Sequence, residues 1–259
     1  MATKYPIVLA HGIILKDYKF FKAFGRIEKV LGENGYTAYT SETDGFGTIE
    51  NNAAQLKRQI ERILEEDGAE KVNIIAHSKG GLDTRCMIES LGMGEKVASV
   101  TFLCTPHKGS QIATKLYEMR PRRRDRIAGW LNFWYRKFGD EHPDALAVCK
   151  QLSASDEDLL GGCGAHDGIF MQSYSTVQER RRDDFVMGIP LHFSRIYEND
   201  FSDGLVSVES SKFAEYKGHC TEHSISHSEI VDFMASKKKK EKIYAFYLEL
   251  CKDLADRGC

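Results

Sequence analysis

The sequence predicts an α/β protein with a mostly parallel six-stranded sheet, helices on both of its faces and one helical insertion. Three observations carry this. Six short runs are apolar or β-branched enough to form buried strands. Stretches with apolar residues at helical spacing alternate with these runs, the arrangement that covers both faces of a parallel sheet. One interval, 111–168, is too long for a simple connection and reads as an excursion from the sheet. The chain of 259 residues, 42% of them hydrophobic, supplies one well-buried core, and no internal repeat divides it.

The elements follow in order. Tyr5 to Ala10 is the first strand, with a turn after it. Tyr18 to Leu31 is amphipathic, and Thr37 to Ser41 is the second strand. Asn52 to Leu64 places Ala53, Leu56, Ile60, Ile63 and Leu64 at helical spacing and stops at Asp67-Gly68. Lys71 to His77 is the third strand, a helix runs from there to about Leu91, and Val97 to Cys104 is the fourth strand. Ile169 to Val177 and Leu191 to Tyr197 are the last two strand candidates. Pro190 sits just before the second of these, where a missing N–H is tolerated. Glu241 to Ala255 carries Ile243, Phe246, Tyr247, Leu250 and Leu254 as a core-facing terminal helix, and the four lysines 237–240 ahead of it read as a solvated connection.

Composition excludes several classes. Thirty-six basic residues stand against 38 acidic ones, a formal charge of −2, so nothing global points to a nucleic-acid partner. No apolar run is long enough for a transmembrane helix. The opening MATKYPIVLA lacks a signal peptide's apolar core, so the chain as written is expected to be cytoplasmic, with a secreted mature form as the alternative. The 7 cysteines are irregularly spaced with no CxxC, which argues against zinc and thioredoxin-type sites. Their odd number favours thiols, and Cys163 with Cys220 is the one pair to consider for a disulfide.

Chemistry concentrates at Val72-Asn73-Ile74-Ile75-Ala76-His77-Ser78-Lys79-Gly80-Gly81, which reads strand, tight turn, helix. A serine on such a turn is held in a strained backbone with its hydroxyl at the C-terminal edge of the sheet. Strand and helix pass close there, so the residues two before and two after must be small; they are Ala76 and Gly80. Ser78 then needs a base, an orienting acid and an oxyanion hole. His219, His223 and His227 lie late enough to serve as the base, and Glu198, Asp200 and Asp203 are the acid candidates. The backbone N–H of Lys79 is one oxyanion donor. The other is that of Ile13, in the His11-Gly12-Ile13 loop, where Gly12 lets the chain turn. His77 and His107 read as packed supporting residues, and Asp83 with Arg85 as a surface or helix-end pair.

Four motifs together resemble the bacterial true lipase family of the α/β-hydrolase superfamily: Tyr5 to Gly12, Val72 to Gly81, Thr105-Pro106-His107-Lys108-Gly109-Ser110, and Ser202-Asp203-Gly204-Leu205-Val206. The resemblance implies Ser78 as nucleophile, Asp203 as acid and His227 as base, with the oxyanion N–H groups on Ile13 and Lys79. His227 is preferred because Ser226 to Val231 resembles the family's histidine loop; His223 is the runner-up. Ala76 departs from the family's usual glycine by one methyl group. No cofactor is required. The resemblance also implies a structural calcium, for which Asp183, Asp184 and Glu229 are the candidate ligands, although Phe233 stands where the family's glutamine would be. Glu209 stands where its disulfide partner would be. The implied activity is hydrolysis of acylglycerols or other acyl esters. The alternatives are a thioesterase or acyltransferase on the same triad, and a non-catalytic binding protein.

The segment Arg120 to Phe138 departs from the balanced charge of the whole. It holds seven basic residues against Asp125, and both tryptophans. Ile127, Trp130, Leu131, Trp134 and Phe138 fall on one helical stripe, with Phe133 nearby. A basic helix with an aromatic face suits a membrane interface. The resemblance places a lid here, so Trp130, Phe133 and Trp134 are expected at the substrate or at a transient lipid contact through 120–138. Oligomeric state is not written in the sequence.

Overall fold

The computed structural model describes residues 2–13, 17, 21–154, 166–180, 184, 201–222 and 224–259. Six strands form one sheet in the order β2-β1-β3-β4-β5-β6: β1 Ile7–Ala10, β2 Ala38–Thr40, β3 Val72–His77, β4 Val97–Leu103, β5 Phe170–Ser175 and β6 Glu215–His219. Every pairing is parallel. The reversal of strand order beside β1 makes the C-terminal edge of β1 and β3 the natural place for a site.

Period-2 alternation divides the sheet's side chains between two cores. Val8, Ala10, Ile74, Ala76, Val100 and Phe102 face α2 (Ile49–Asp67) and α3 (Lys79–Ser90). Ile7, Leu9, Ile75 and Leu103 face α1 (Ile27–Glu33) and the terminal helix, designated α8 (Lys237–Asp256). α2 follows its apolar spacing closely: Thr48 caps its start by accepting from the Asn51 N–H, and Gly68 closes it at φ 61°. Between β4 and β5 the described residues of the insertion form three helices, α4 (Gln111–Tyr117), α5 (Pro121–Lys137) and α6 (Ala145–Gln151). Val208–Ser211 makes a short α7.

Several expectations need correction. The first helix starts at Ile27, not Tyr18, and residues 18–20 lie outside the described set. The Leu191–Tyr197 strand also lies outside it. The sixth strand is instead Glu215–His219, an edge strand with alternately exposed residues and no apolar run to mark it. The four lysines are no loose connection; they form the first turn of α8.

One contact sets how β3 and α3 meet β1. A Cβ on Gly80 would lie 2.5 Å from the Ala10 carbonyl oxygen and 2.6 Å from that of His11. Gly80→Ala is therefore expected to destabilise the fold by about 1–3 kcal/mol, read as a lowered urea midpoint, because backbone rather than a flexible side chain must give way.

Candidate active site

Ser78 joins β3 to α3 at φ 55°, ψ −131°, a region that L-residues rarely adopt. Its neighbours hold it there: the Ser78 N–H donates to the Leu103 carbonyl at 2.9 Å, and the Gly81 N–H donates to the Ser78 carbonyl at 3.0 Å. The loop after β1 lies directly against this turn, since a Cβ on Gly12 would meet the Ser78 Cβ at 2.7 Å and the Lys79 nitrogen at 3.0 Å. The Lys79 N–H begins α3, where backbone donors have no acceptor within the helix. Ile13 follows Gly12 and is partly exposed. His11 braces the loop: its N–H donates to the Ser41 hydroxyl at 3.1 Å and its Nδ1 to the Gly12 carbonyl at 3.0 Å.

Asp203 and His227 meet at 2.7 Å between Oδ2 and Nδ1. The other oxygen of Asp203 accepts the backbone N–H groups of Leu205 and Val206 at 2.9 and 2.8 Å, and the His227 N–H donates to the Asp203 carbonyl at 3.0 Å. The carboxylate is thus fixed, and a proton on Nδ1 leaves Nε2 as the basic nitrogen. The His77 ring packs on that of His227 with centroids 4.6 Å apart, which brings the pair beside the serine turn. Burial, with His227 adding to it, holds the His77 imidazole well below its ordinary value, so it stays neutral. Cys104, at φ 53° after β4, has its sulfur close to both Asp203 and His227. Burial raises that thiol well above its ordinary value, so it serves as packing and not as a thiolate. His107 stacks on Phe213 with centroids 4.5 Å apart and supports its loop as expected.

The loop carrying His227 is held from both sides. Ser226 and Ser228 donate to Asp184 at 2.5 and 2.9 Å. Glu229 accepts the Ser226 N–H at 3.0 Å and takes the Lys239 ammonium at 2.6 and 2.7 Å. Asp232 pairs with Lys240 at 2.8 Å and accepts from Tyr244 at 2.8 Å. Among the described residues this arrangement does not fit calcium, which takes six to eight oxygens. Glu229 already carries a cation, and the Oδ2 of Asp184 is bonded to two hydroxyls. Asp183 and His223 lie outside the described residues, as do Cys163, Glu198 and Asp200.

Behind the serine lies a polar network with no obvious mark in the sequence. Asp83 and Arg85 are fully buried, not the surface pair expected. The Lys79 ammonium meets the Asp83 carboxylate at 2.8 and 2.9 Å. Asn52 joins Asp83 at 3.0 Å to the Asp44 carbonyl at 2.7 Å. The Asp44 carboxylate accepts the N–H groups of Glu141 and His142, and Asp140 in return accepts those of Gly45 and Phe46. The network therefore runs from the elbow to the loop between α5 and α6. Arg85 lies over the Phe213 ring at 4.2 Å and pairs with Glu89.

The stripe of α5 divides between the body and solvent. Ala128 is buried and Tyr135 packs edge-on against Phe46, but Trp130, Phe133 and Trp134 are 61%, 56% and 42% exposed. These three side chains point to solvent in this form of the molecule, while Ser78 is only 9% exposed. Among the described residues no helix is long and apolar enough to cross a membrane.

The family model for palmitoyl protein thioesterase matches residues 6–148. Triacylglycerol lipase 2 of Saccharomyces cerevisiae is 26% identical over 258 residues, covering 90% of this chain and 73% of the yeast protein. A triacylglycerol lipase of Pseudarthrobacter phenanthrenivorans is 36% identical over 119 residues, 43% of this chain and 36% of that protein. The chain thus spans only about a third of that bacterial relative. Among solved structures, the Staphylococcus hyicus lipase superposes with a TM-score of 0.72 at 14% identity, covering 98% of this chain and 96% of that one. The mature Bacillus licheniformis lipase BlEst2 gives 0.66 at 21% identity, covering 96% and 92%.

The Lys79–Asp83 pair yields a stability prediction. Asp83→Ala leaves a buried ammonium without its carboxylate and is expected to cost about 3–5 kcal/mol, while Lys79→Met with Asp83→Leu recovers most of the loss. Burial raises the Asp83 carboxyl from 3.8 to about 6. The folded state then binds this proton more tightly than the unfolded state does. The group's contribution to stability is full below pH 3.8 and is lost as pH rises to about 6. Asp83→Asn should flatten the urea midpoint across that window.

Proposed function

The chain belongs to the palmitoyl protein thioesterase family, and on that footing we propose that it cleaves acyl esters through a covalent intermediate on Ser78. The fold is that of the α/β-hydrolases, and the chain is a carboxylic ester hydrolase of the lipase and esterase type. The observation that carries the mechanism is the placing of the Asp203–His227 pair beside a serine held at positive φ.

His227 Nε2 takes the Ser78 proton as Oγ attacks the substrate carbonyl. Asp203 holds the imidazole through Nδ1 and stabilises its charged form. The N–H groups of Lys79 and Ile13 receive the oxyanion; removing one such donor typically costs about 3–4 kcal/mol of transition-state stabilisation. Collapse expels the alcohol, which leaves with the proton from His227. Water then loses a proton to His227, attacks the acyl-enzyme and releases the carboxylic acid, and Ser78 recovers its proton. No cofactor enters this sequence.

A second reading keeps every residue and changes the leaving group. The family model favours it: an acyl thioester attacked by the same serine expels a thiolate, which His227 protonates.

Ser78→Ala is expected to lower kcat/KM on a chromogenic acyl ester by about 10⁶-fold with an unchanged urea midpoint, and Asp203→Asn by about 10⁴-fold. Unchanged turnover in Ser78→Ala would sink the assignment. Rates on an oxygen ester and a thioester of the same acyl group, with and without an alcohol acceptor, separate the two readings. A higher kcat/KM on the oxygen ester supports the first; preference for the thioester supports the second; acyl transfer to the alcohol over water removes both.

A further inference from the structure

We infer that the outer face of α5 is a docking surface for an anionic lipid bilayer. α5 has 17 residues, about 25 Å of helix. Its inner side is spent on the fold, through Ala128, Leu131 and Tyr135. Its outer side mixes two kinds of residue. Arg122, Arg123, Arg126 and Lys137 are exposed there, and none of them pairs with a carboxylate among the described residues. Trp130, Phe133 and Trp134 stand between them, their rings in edge contact at centroid distances of 6.4 and 5.6 Å. At about 100° per residue, all of these side chains fall within roughly a third of the helix circumference, and no acid shares that arc.

Two features of this face are unfavourable in water alone. Arg122, Arg123 and Arg124 occupy the first turn after Pro121, where the helix dipole repels cations. Three large aromatic side chains lie together in solvent, the kind of patch that soluble surfaces avoid. An anionic bilayer resolves both. Headgroup phosphates and carboxylates receive the guanidinium groups, and the rings enter the interfacial layer. Arg122, Arg123 and Arg126 also line an open hollow of about 880 Å³ with Ile127 and Trp130. A second copy of the chain would bring like charges face to face across a twofold axis. The aromatic ridge also offers no groove to track a nucleic-acid backbone. The reciprocal Asp44 and Asp140 bonds hold the end of α5 to the body, so the face is presented in a fixed orientation.

The test uses the full chain carrying Ser78→Ala, so that docking is measured apart from hydrolysis and survives even if the ester reading fails. Co-sedimentation is measured with vesicles of phosphatidylcholine alone and of phosphatidylcholine with roughly 30 mol% phosphatidylserine. We expect binding to the anionic vesicles, weak binding to the neutral ones, and loss of binding as salt screens the charges. Each basic residue near such a surface contributes about fivefold, so Arg122→Glu with Arg123→Glu and Arg126→Glu should weaken partitioning on the order of 100-fold. Trp130→Ala with Phe133→Ala should reduce what remains at high salt. Both sets, placed in the chain with Ser78 intact, should keep turnover of a soluble short-chain ester, which also reports correct folding. Equal binding by the charge-reversed variant, or no preference for anionic vesicles, overturns the proposal. So does tighter binding to single-stranded nucleic acid, or a dimer that the same variants dissolve.

Discussion

The close approach of α3 to the end of β1 governs the rest of the molecule. Gly80 leaves no room between the helix and the Ala10 and His11 carbonyls, so the strand, the serine turn and the helix share one fixed geometry. That geometry forces Ser78 to positive φ and presses Gly12 against the Lys79 nitrogen. A hydroxyl and a backbone donor thus come together without either being placed by a flexible side chain. Preorganisation of this kind is what electrostatic catalysis requires, because nothing needs to move when charge develops.

A second layer of order is polar and buried. Lys79 faces inward to Asp83, and through Asn52 and Asp44 the same network reaches Glu141 and His142 after α5. The residue after the nucleophile is therefore tied to the insertion by hydrogen bonds, not by apolar packing alone. A buried pair of this kind is a poor source of net stability. It does fix which rotamers and which loop positions are allowed, and a site that must hold an oxyanion donor in place needs that.

How much was legible in the sequence follows the range of each interaction. Ser78, with Ala76 and Gly80 around it, was legible because the elbow is local: small residues at fixed offsets report a close contact directly. Asp203 and His227 were legible only as motifs, since nothing in their own neighbourhood says that they meet at 2.7 Å. Asp83 and Arg85 were misread because spacing cannot tell a solvated charge from a buried one; their burial comes from the packing of α2 on α3 and from Phe213. The edge strand β6 was missed for a related reason, as its alternate residues face solvent and carry no apolar signal. On α5 the helical stripe was real, but the side facing the body centres on Ala128 and Tyr135 and leaves the tryptophans outside.

The lysines that open α8 change how the site is completed. Lys239 and Lys240 reach back to Glu229 and Asp232, so the histidine loop is clamped by a helix that follows it in the chain. During synthesis the serine turn and its sheet can form early, while the base acquires its final position only after residues 237–256 have left the ribosome and docked. On the proposed mechanism, the growing polypeptide carries its nucleophile long before it carries a working base.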